Sequence, residues 1–494
     1  MSRAILLLFA GAISVLAFSP FHLWWVSIIS LSLLYLLHQQ NHSQAFKTGY
    51  LFGIGMFGSG ISWIFNSLYD FGEAPFIAAI VITIVYTLVL SIFPALVLKV
   101  HTRLSASISL WMSVLTFAAL WVMFEWLRSW VLTGFPWLLV GHSLVDSPLA
   151  GIIPIFGTFA GSALIAFLAA STIVFINASK QQLMWPAIGL SVLLMMCFYA
   201  TGIEWTSKVG ERPVKVSAVQ ANIPFDMKWD KSRRHEVYQA YIDLTSKHLD
   251  SDIVLWPETA IPTFLRVANK DFIPSFERQL KDNNTELLSG VFTYEPGTER
   301  IFNSLVTLGG ELQIYNKHHL VPFGEYLPLR WIFEFFRSIV VIPMSDLSPG
   351  QGSSVLTLKG IPVGVSICYE AAFGEEINRA LPEAQMLMNV TNDAWFGNSL
   401  APHQHLQIAR TRALETGRYM LRAANTGVSA VIDSNGQVMA ESGQFVDQVI
   451  TGEVWPMRGS TPFIIWGNWA IISILSALIL LVFVRSRRAN SGEK

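Results

Sequence analysis

The chain has 494 residues, of which 52% are hydrophobic and 14% carry a charge. A soluble domain usually contains about 25% charged residues, so this composition predicts that much of the chain lies in lipid. The formal net charge of −1 gives no reason to expect nucleic acid as a partner. The two cysteines, Cys197 and Cys368, cannot build a disulfide framework, and their spacing is not that of a metal site.

The apolar residues are unevenly distributed and indicate three segments. Residues 1–203 form a series of apolar runs, whereas residues 204–462 have the composition of a globular domain. Residues 463–494 contain one more apolar run and end in a basic tail. We therefore predict a multi-span helical membrane domain, an α/β domain, and a final span with a short tail.

The apolar runs predict about eight membrane-spanning helices. The N-terminus is similar to a signal peptide, but no small-x-small cleavage site leads into a soluble stretch, so we assign it to the first span. The predicted spans are 4–18, a second that ends near 37, and then 50–68, 75–98, 110–127, 152–176, 183–202 and 463–484.

Charged residues in the loops predict which side each loop faces. Alternate gaps carry the basic residues Lys47, Lys99, Arg103, Lys180, Arg485, Arg487 and Arg488. The other gaps carry Asp70, Glu73 and Asp146. Arg128 is the one cation that does not fit this pattern. By the positive-inside rule the basic loops and the tail are cytoplasmic, which places the α/β domain in the periplasm, on the outer side of a Gram-negative inner membrane.

Glu125 and Arg128 lie three residues apart on one face of the fifth predicted span and could pair. Ionisable groups inside a membrane are candidates for function. Because these two lie near the outer interface, a structural role explains them equally well. Tryptophans at the span edges favour an interfacial aromatic belt over a binding site.

Residues 204–462 alternate between strand-like and helix-like stretches. Strands are predicted at 215–222, 252–256, 286–292, 304–308, 363–367, 385–390, 427–432 and 449–454. Helices are predicted at 233–249, 271–282 and 403–414. This alternation is typical of an α/β domain with helix-covered sheets, and about 250 residues suffice for one core between two sheets.

Three stretches of this domain carry reactive side chains. Glu258 follows a predicted strand and Pro257, which places its carboxylate at the rim of a sheet. Lys317 and Glu325 lie in a loop that is too apolar and proline-marked for an ordinary surface segment. Cys368 ends a β-branched strand at a strand-to-helix corner, beside backbone N–H groups that could bind an oxyanion.

Each of these residues also has a structural explanation. A single cysteine after a strand is usually a small buried hydrophobic residue, and a lone charge in a loop is usually solvated. The adjacent His318 and His319 suggest a metal site or a Cys–His pair. However, neighbouring side chains project differently, and no third ligand is evident in the sequence.

The order and context of Glu258, Lys317 and Cys368 resemble the Glu-Lys-Cys triad of the carbon–nitrogen hydrolase (nitrilase) superfamily. The resemblance covers residues 214–454 and implies an αββα sandwich. Stretches that agree with a membrane-bound acyltransferase branch of this superfamily are Phe18-Ser-Pro20, Glu125-Trp-Leu-Arg128, Thr133-Gly-Phe-Pro-Trp137, Lys228-Trp-Asp230, Asn392-Asp-Ala-Trp-Phe-Gly397 and Arg422-Ala-Ala-Asn-Thr-Gly427. Together with the predicted spans, they extend the resemblance over nearly the whole chain.

This resemblance implies acyl transfer from the sn-1 position of a phospholipid, phosphatidylethanolamine in the family, to the α-amine of a diacylglyceryl apolipoprotein. The acyl chain would pass through a thioester on Cys368, and its transfer would complete lipoprotein maturation. Glu258 would act as base and acid, Lys317 would stabilise the oxyanion, and Glu325 would orient Lys317. No cofactor and no metal are implied, and the only partners are the two lipid substrates and the bilayer.

The resemblance also implies supporting roles by position in the motifs. Tyr369 and Glu370 would line the strand-to-helix corner. Trp229 matches a residue that handles substrate in the family. Trp395 and Phe396 would form a mobile hydrophobic lid at the membrane surface.

Two other functions stay open on the sequence alone. A membrane-anchored amidase of the same superfamily would share the triad, but it gives no reason for eight spans. A transporter or scaffold with an inactive domain is disfavoured by the intact triad and by the lack of charges at the span centres.

Overall fold

The computed structural model describes residues 2–177, 180–327 and 346–491, which form two compact units. The first unit comprises Met1–Phe65, Ala79–Glu204 and Ile465–Lys494. The second comprises Asn66–Ala78 and Trp205–Ile464. A short segment between two predicted spans therefore belongs to the unit that carries the predicted catalytic residues.

Apolar helices build the first unit. The longer α-helices that lie wholly or mainly in it are Arg3–Ala12, Trp25–Gln40, Ala45–Gly60, Phe76–Leu90, Ile92–Ser105, Leu110–Arg128, Ile153–Asn177, Lys180–Ala200 and Trp469–Ser491. In the described residues, the four helices long and apolar enough to cross a membrane are Phe76–Ser105, Leu110–Arg128, Ala150–Asn177 and Trp469–Arg488. The pair His42–Gly60 and Ile64–Phe71, bent by 58°, makes a fifth if it is one span. The total of about eight stays a prediction.

Glycines let two helices of this unit approach each other closely. A Cβ on Gly11 would lie 2.0 Å from the carbonyl oxygen of Phe52, and a Cβ on Gly55 would lie 2.1 Å from that of Leu8. The helices that carry these glycines therefore pack backbone against backbone, as small residues permit in a membrane.

The two ionisable residues near the end of the fifth predicted span hold the segment that follows it. Glu125 Oε1 accepts a hydrogen bond of 3.1 Å from the backbone N–H of Val140. Arg128 donates to the carbonyl oxygens of Phe135 and Trp137 at 2.7 and 2.6 Å. These contacts support the structural explanation of both residues.

The second unit is built on β-sheets. Its strands are β1 (Thr206–Lys208), β2 (Val214–Gln220), β3 (Ile253–Leu255), β4 (Ile261–Phe264), β5 (Glu286–Tyr294), β6 (Ile301–Leu308), β7 (Ile314–Asn316), β8 (Val355–Leu358), β9 (Ile361–Ile367), β10 (Met386–Thr391), β11 (Met420–Ala424), β12 (Ala430–Ile432), β13 (Val438–Glu441), β14 (Gln448–Val454) and β15 (Met457–Gly459). The larger sheet has the order β14-β2-β3-β5-β6-β7, with β4 paired to β5. The smaller has the order β13-β12-β11-β10-β9-β8, and β1 pairs with β15 apart from both.

The two sheets pack face to face, and helices cover their outer faces. Alternate residues of a strand point to opposite faces, so Val216 and Ala218 enter the core between the sheets while Val219 faces a helical layer. The helices against the larger sheet are Arg234–Ser246, Leu265–Asp271 and Ile273–Asp282, and those against the smaller are Gly374–Asn378 and Ala401–Thr416. The prediction of an α/β domain with helix-covered sheets is confirmed.

Parallel strands at the centre of each sheet direct the chain to the candidate site. β9, β10 and β11 run parallel, as do β2, β3 and β5. β9 leads directly to Cys368, β10 to Asn392, and β3 to Glu258 through two further residues. The carboxyl ends of parallel strands are where α/β folds place ligand sites.

Two strands differ from their predicted bounds in a way that affects the site. β6 begins at Ile301, earlier than predicted, so Asn303 lies inside a buried strand. β11 has no counterpart among the predicted strands, because Arg422 at its centre interrupts the apolar pattern. That arginine is fully buried, and its partners are described below.

Candidate active site

Cys368 occupies a strained corner directly after β9. Its φ of +52° lies in the left-handed region, which costs a residue with a Cβ about 1–2 kcal/mol. Hydrogen bonds hold the corner on both sides. The backbone N–H of Ile367 donates to Glu370 Oε2 at 2.6 Å, and Nε2 of His405 lies 3.0 Å from the carbonyl oxygen of Cys368. The corner leaves the cysteine partly accessible.

Four buried polar side chains form a network whose charges act on this cysteine. Lys317 Nζ lies 3.3 Å from Oε1 of Glu258 and 2.9 Å from Oε1 of Glu325. The side-chain amide of Asn303 donates to the same two oxygens at 2.7 and 3.0 Å. One oxygen of each carboxylate therefore accepts hydrogen bonds from the same two donor groups, away from water. These contacts hold Nζ of Lys317 in one position.

Further contacts fix the position of Glu258. Its Oε2 accepts a hydrogen bond of 2.9 Å from the backbone N–H of Asn392, which follows β10. Its own carbonyl oxygen accepts one of 3.0 Å from Nζ of the buried Lys228. Burial lowers the pKa of Lys228 to about 7, against the opposing effect of the Glu258 charge. Segments from both sheets thus converge on one carboxylate.

The electrostatics of the site favour a protonated thiol beside a charged lysine. Burial and the charge of Glu258 raise the pKa of the Cys368 thiol, and Lys317 only partly opposes them. Burial alone would lower the pKa of Lys317, but the carboxylates of Glu258 and Glu325 raise it above its ordinary value. This arrangement suits a reaction in which the thiol loses its proton as it attacks.

Glu370 ties the corner to the loop that carries the lysine. Its Oε1 accepts hydrogen bonds from the hydroxyl of Tyr315 at 2.8 Å and from the backbone N–H groups of His318 and His319 at 2.6 and 3.1 Å. Burial raises the pKa of Glu370 to about 7. Glu370, which the sequence predicts as a supporting residue, therefore accepts hydrogen bonds from backbone N–H groups both at the Cys368 corner and in the loop that carries Lys317.

The adjacent histidines meet separate partners. Nδ1 of His319 lies 2.7 Å from Oε1 of Glu376, and the ring of Tyr369 meets His319 edge-on at 5.7 Å. The ring of His318 packs against Tyr315. In the part of the chain that the structure describes, no three His, Cys, Asp or Glu side chains are placed to hold a metal ion.

Three aromatic rings from separate segments form a cluster in this unit. The ring centroid of Trp395 lies 4.9 Å from that of Phe225 and 6.3 Å from that of Phe71, and the last two are 5.6 Å apart. Phe71 belongs to the segment Asn66–Ala78, which joins two apolar helices. The predicted mobility of the Trp395 loop stays a prediction.

Trp229 lies on the short helix Phe225–Trp229, and its ring is 6.0 Å from that of Phe292. Its indole nitrogen is buried and meets no acceptor among the described residues. The ring of Phe396 meets the imidazole of His405 edge-on at 6.4 Å. An indole N–H without an acceptor is a donor available to a ligand.

A second buried network lies next to the cysteine corner. Asp393 accepts hydrogen bonds from Thr391 Oγ1 at 2.7 Å and from Arg422 at 3.0 Å, and Nδ1 of His405 lies 3.1 Å from its Oδ1. Burial alone would raise the pKa of Asp393, but Arg422 and His405 lower it to about 2. The carboxylate is therefore ionised at any working pH.

In the structure Lys317 contacts both Glu258 and Glu325. Glu370 binds the backbone next to Cys368 and so stabilises that corner. Three polar residues that contact these groups were not predicted as site residues: Asn303, Lys228 and His405. Phe71, which contacts the predicted site residue Trp395, was not predicted either. Asn303 lies just before the predicted strand 304–308, and His405 lies in a predicted helix with many polar residues, so neither stands out in the local pattern. Nothing in the local pattern points to Phe71.

Two family models match the chain. The model described as "Apolipoprotein N-acyltransferase N-terminal domain" matches residues 10–171. The model described as "Carbon-nitrogen hydrolase" matches residues 215–461. The two matches cover most of the helical part and nearly all of the sandwich.

Relatives are similar over the full length. The apolipoprotein N-acyltransferase of Methylococcus capsulatus is 40% identical over 496 residues, which cover 100% of this chain and 98% of that protein. The enzyme of that name from Nitrosomonas europaea is 38% identical and covers 95% of each chain. That of Coxiella burnetii is 36% identical over 98% of this chain and 100% of its own. The chain therefore belongs to the apolipoprotein N-acyltransferase family.

Proposed function

We propose that this membrane protein transfers an acyl chain from the sn-1 position of a phospholipid to the N-terminal α-amine of a diacylglyceryl apolipoprotein, through a thioester on Cys368. The relatives' name supports N-acylation of lipoproteins. The observation that carries the mechanism is the buried network in which Glu258 and Lys317 share hydrogen bonds and act electrostatically on Cys368.

The first half-reaction forms the acyl-enzyme. Because the pKa of Cys368 is raised, the resting thiol holds its proton, and Glu258 removes that proton as sulfur attacks the ester carbonyl carbon. The C–S bond forms, and the carbonyl oxygen becomes an oxyanion. Collapse of this intermediate breaks the ester C–O bond, and Glu258 returns the proton to the departing lysophospholipid alcohol.

The oxyanion needs a fixed positive charge and a fixed donor. Lys317 supplies the charge, since its two carboxylate partners keep it ionised and hold its Nζ in place. The backbone N–H of Tyr369, directly after the nucleophile, supplies the donor. One such donor typically contributes about 3–4 kcal/mol to stabilisation of the transition state.

The second half-reaction releases the acyl chain as an amide. The lipoprotein α-amine attacks the thioester carbon while Glu258 takes the amine proton. The C–N bond forms, the C–S bond breaks, and the proton on Glu258 returns to the sulfur of Cys368. The enzyme is then ready for another phospholipid.

Trp229 and the aromatic cluster serve the lipid substrates. The indole N–H of Trp229 lacks an acceptor among the described residues, which fits donation to a polar group of a bound substrate. Phe225, Phe71 and Trp395 offer partly exposed rings to an aliphatic chain. Phosphatidylethanolamine is the proposed donor.

The proposed location is the inner membrane, with the sandwich on the periplasmic side and the C-terminal tail in the cytoplasm. The basic loops and tail support this orientation. A cysteine introduced at Asn283 in the sandwich should react with a membrane-impermeant thiol reagent in intact right-side-out vesicles. A cysteine at the exposed Arg487 should not, and the reverse pattern would contradict the orientation. Both substitutions are made in Cys368→Ala, because the native thiol is itself partly accessible.

A discharge experiment tests transfer against hydrolysis. The acyl-enzyme formed from phospholipid should persist without acceptor and discharge rapidly when a diacylglyceryl-cysteinyl peptide is added. The product should be the N-acyl peptide, and acetylation of the peptide's α-amine should stop the discharge. Free fatty acid released at the same rate with and without peptide would replace the transferase with a hydrolase.

A further inference from the structure

His405 lies within the helix Ala401–Thr416, is 0% exposed, and takes no part in the steps proposed above. Its ring nitrogens face two different elements. Nδ1 lies 3.1 Å from Oδ1 of Asp393, and Nε2 lies 3.0 Å from the carbonyl oxygen of Cys368. The imidazole therefore spans the distance between the turn after β10 and the corner that carries the thiol.

The Asp393 end of this bridge is immobile. Its carboxylate is 1% exposed and also accepts hydrogen bonds from Thr391 and Arg422. Arg422 is held in turn by the side-chain oxygen of Asn389 and by the carbonyl oxygen of Val428. A buried charge with this many partners cannot move without leaving some of them unpaired, so Asp393 is fixed to the smaller sheet.

The Cys368 end requires support of this kind. Its φ of +52° persists only where the surrounding structure holds it. The carbonyl oxygen that faces His405 belongs to the peptide group between Cys368 and Tyr369. In a trans peptide the C=O and the N–H of one group point in opposite directions. Fixing that oxygen therefore fixes the direction of the Tyr369 N–H.

We propose that His405 is a positioning residue that aims the Tyr369 N–H at the oxyanion by holding the carbonyl oxygen of the same peptide group. The inference rests on the proposed function, in which that N–H stabilises the oxyanion. It requires a hydrogen on Nε2, since a carbonyl oxygen only accepts. It also requires a hydrogen on Nδ1, since the ionised carboxylate of Asp393 only accepts, so the imidazolium form makes both contacts. The thiol itself stays in place through β9 and through the hydrogen bond between the Ile367 N–H and Glu370.

Two reactions of the same thiol separate this role from a general structural one. Acylation by an ester passes through an oxyanion, whereas alkylation by iodoacetamide displaces iodide and forms no oxyanion. His405→Leu should slow thioester formation on Cys368 about a hundredfold, the scale of one lost oxyanion donor, and should leave alkylation within a few-fold of wild type. His405→Gln retains an N–H donor and should recover part of the acylation rate. His235→Leu, on an exposed helix position, is the matched control and should change neither rate.

The measurements are single-turnover acylation from phospholipid vesicles, alkylation rate and midpoint of thermal unfolding, all on the full-length enzyme in detergent or vesicles. Unchanged acylation in His405→Leu, or equal losses of acylation and alkylation, would overturn the inference. If the leucine variant does not fold, His405→Gln must still lose more acylation than alkylation, and equal rates would overturn it. Absence of any thioester on the wild-type enzyme would instead remove the proposed function and this inference with it.

Discussion

The side-chain amide of Asn303 donates a hydrogen bond of 2.7 Å to Oε1 of Glu258, the proposed base. The same nitrogen also donates to Glu325 Oε1, and both carboxylates are buried. Asn303→Leu removes both bonds, and a buried hydrogen bond to a charged group is worth about 1.5–3 kcal/mol. We expect acylation to slow by about 10- to 100-fold. Single-turnover thioester formation measures this, with the exposed Asn283→Leu as control. Wild-type rates in Asn303→Leu would show that the amide does not hold the base.

The two cysteines differ in environment and should differ in chemistry. Cys368 is the partly accessible residue at the corner, whereas Cys197 is buried in an apolar helix. Incubation with phospholipid should add one acyl mass to the wild-type enzyme and to Cys197→Ala, and neutral hydroxylamine should remove it. Cys368→Ala should gain no such mass. An acyl-enzyme that persists in Cys368→Ala would place the nucleophile elsewhere.

Glu258 and Lys317 should both be needed in both half-reactions. Glu258→Gln keeps the shape of the side chain but cannot accept a proton, so acylation and aminolysis should both be abolished. Lys317→Met removes the charge next to the oxyanion and should also slow both. Each half-reaction is measured alone, by thioester formation and by discharge to a peptide. A defect of Lys317→Met in only one half would assign the lysine a different role.

Glu325 should act through Lys317, because its Oε1 lies 2.9 Å from Nζ. Glu325→Gln should therefore be milder than Lys317→Met. The double variant should be no slower than Lys317→Met alone, since residues that act as one unit are not additive. Multiplicative losses in the double variant would show that Glu325 works independently.

The raised pKa of Glu370 predicts a pH dependence. Burial raises this pKa to about 7, so the carboxyl gains a proton as the pH falls through about 7. The protonated form turns an O–H towards backbone N–H donors and loosens the corner. Acylation should therefore fall as the pH drops, approaching tenfold per unit below about pH 6. Glu370→Gln mimics the protonated form and should be slow and insensitive to pH in this window. The same decline in Glu370→Gln would assign the titration to another group.

The close packing of two apolar helices predicts a large effect of one methyl group. A Cβ on Gly11 would lie 2.0 Å from a backbone oxygen, whereas a Cβ on Gly189 would meet nothing within 4 Å. Gly11→Ala should lower the free energy of unfolding by about 1–3 kcal/mol, since backbone cannot move aside cheaply. Gly189→Ala should be neutral or stabilising by up to about 1 kcal/mol. Thermal unfolding in detergent measures both, and equal midpoints would contradict the packing.

The sandwich and its reactive corners could be predicted because buried β-branched runs identify central strands, and reactive residues follow the strand ends. Asn303 and Arg422 could not be predicted in the same way. Each is a polar residue inside a buried strand, and only its partner, Glu258 or Asp393, makes that burial favourable. Such a pairing joins residues more than 25 positions apart, and no local periodicity records it.

Phe71 lies in the gap between the predicted spans 50–68 and 75–98, where hydropathy does not indicate which unit the residue joins. The segment Asn66–Ala78 nevertheless clusters with the sandwich, where Phe71 packs against Phe225 and Trp395. A segment that lies between two apolar helices in the sequence therefore belongs to the unit that contains the sheets, so neither unit is one continuous stretch of the chain.

The sandwich is consequently not complete as a continuous fragment of the chain. A fragment consisting of residues 205–464 would end within two residues of the bounds predicted from the sequence, yet it would lack the third ring of the aromatic cluster. Phe225 and Trp395 would then present their rings to water, and the fragment would be prone to self-association. Recombination between relatives meets the same constraint, since a sandwich exchanged without residues 66–78 leaves behind part of its own packing.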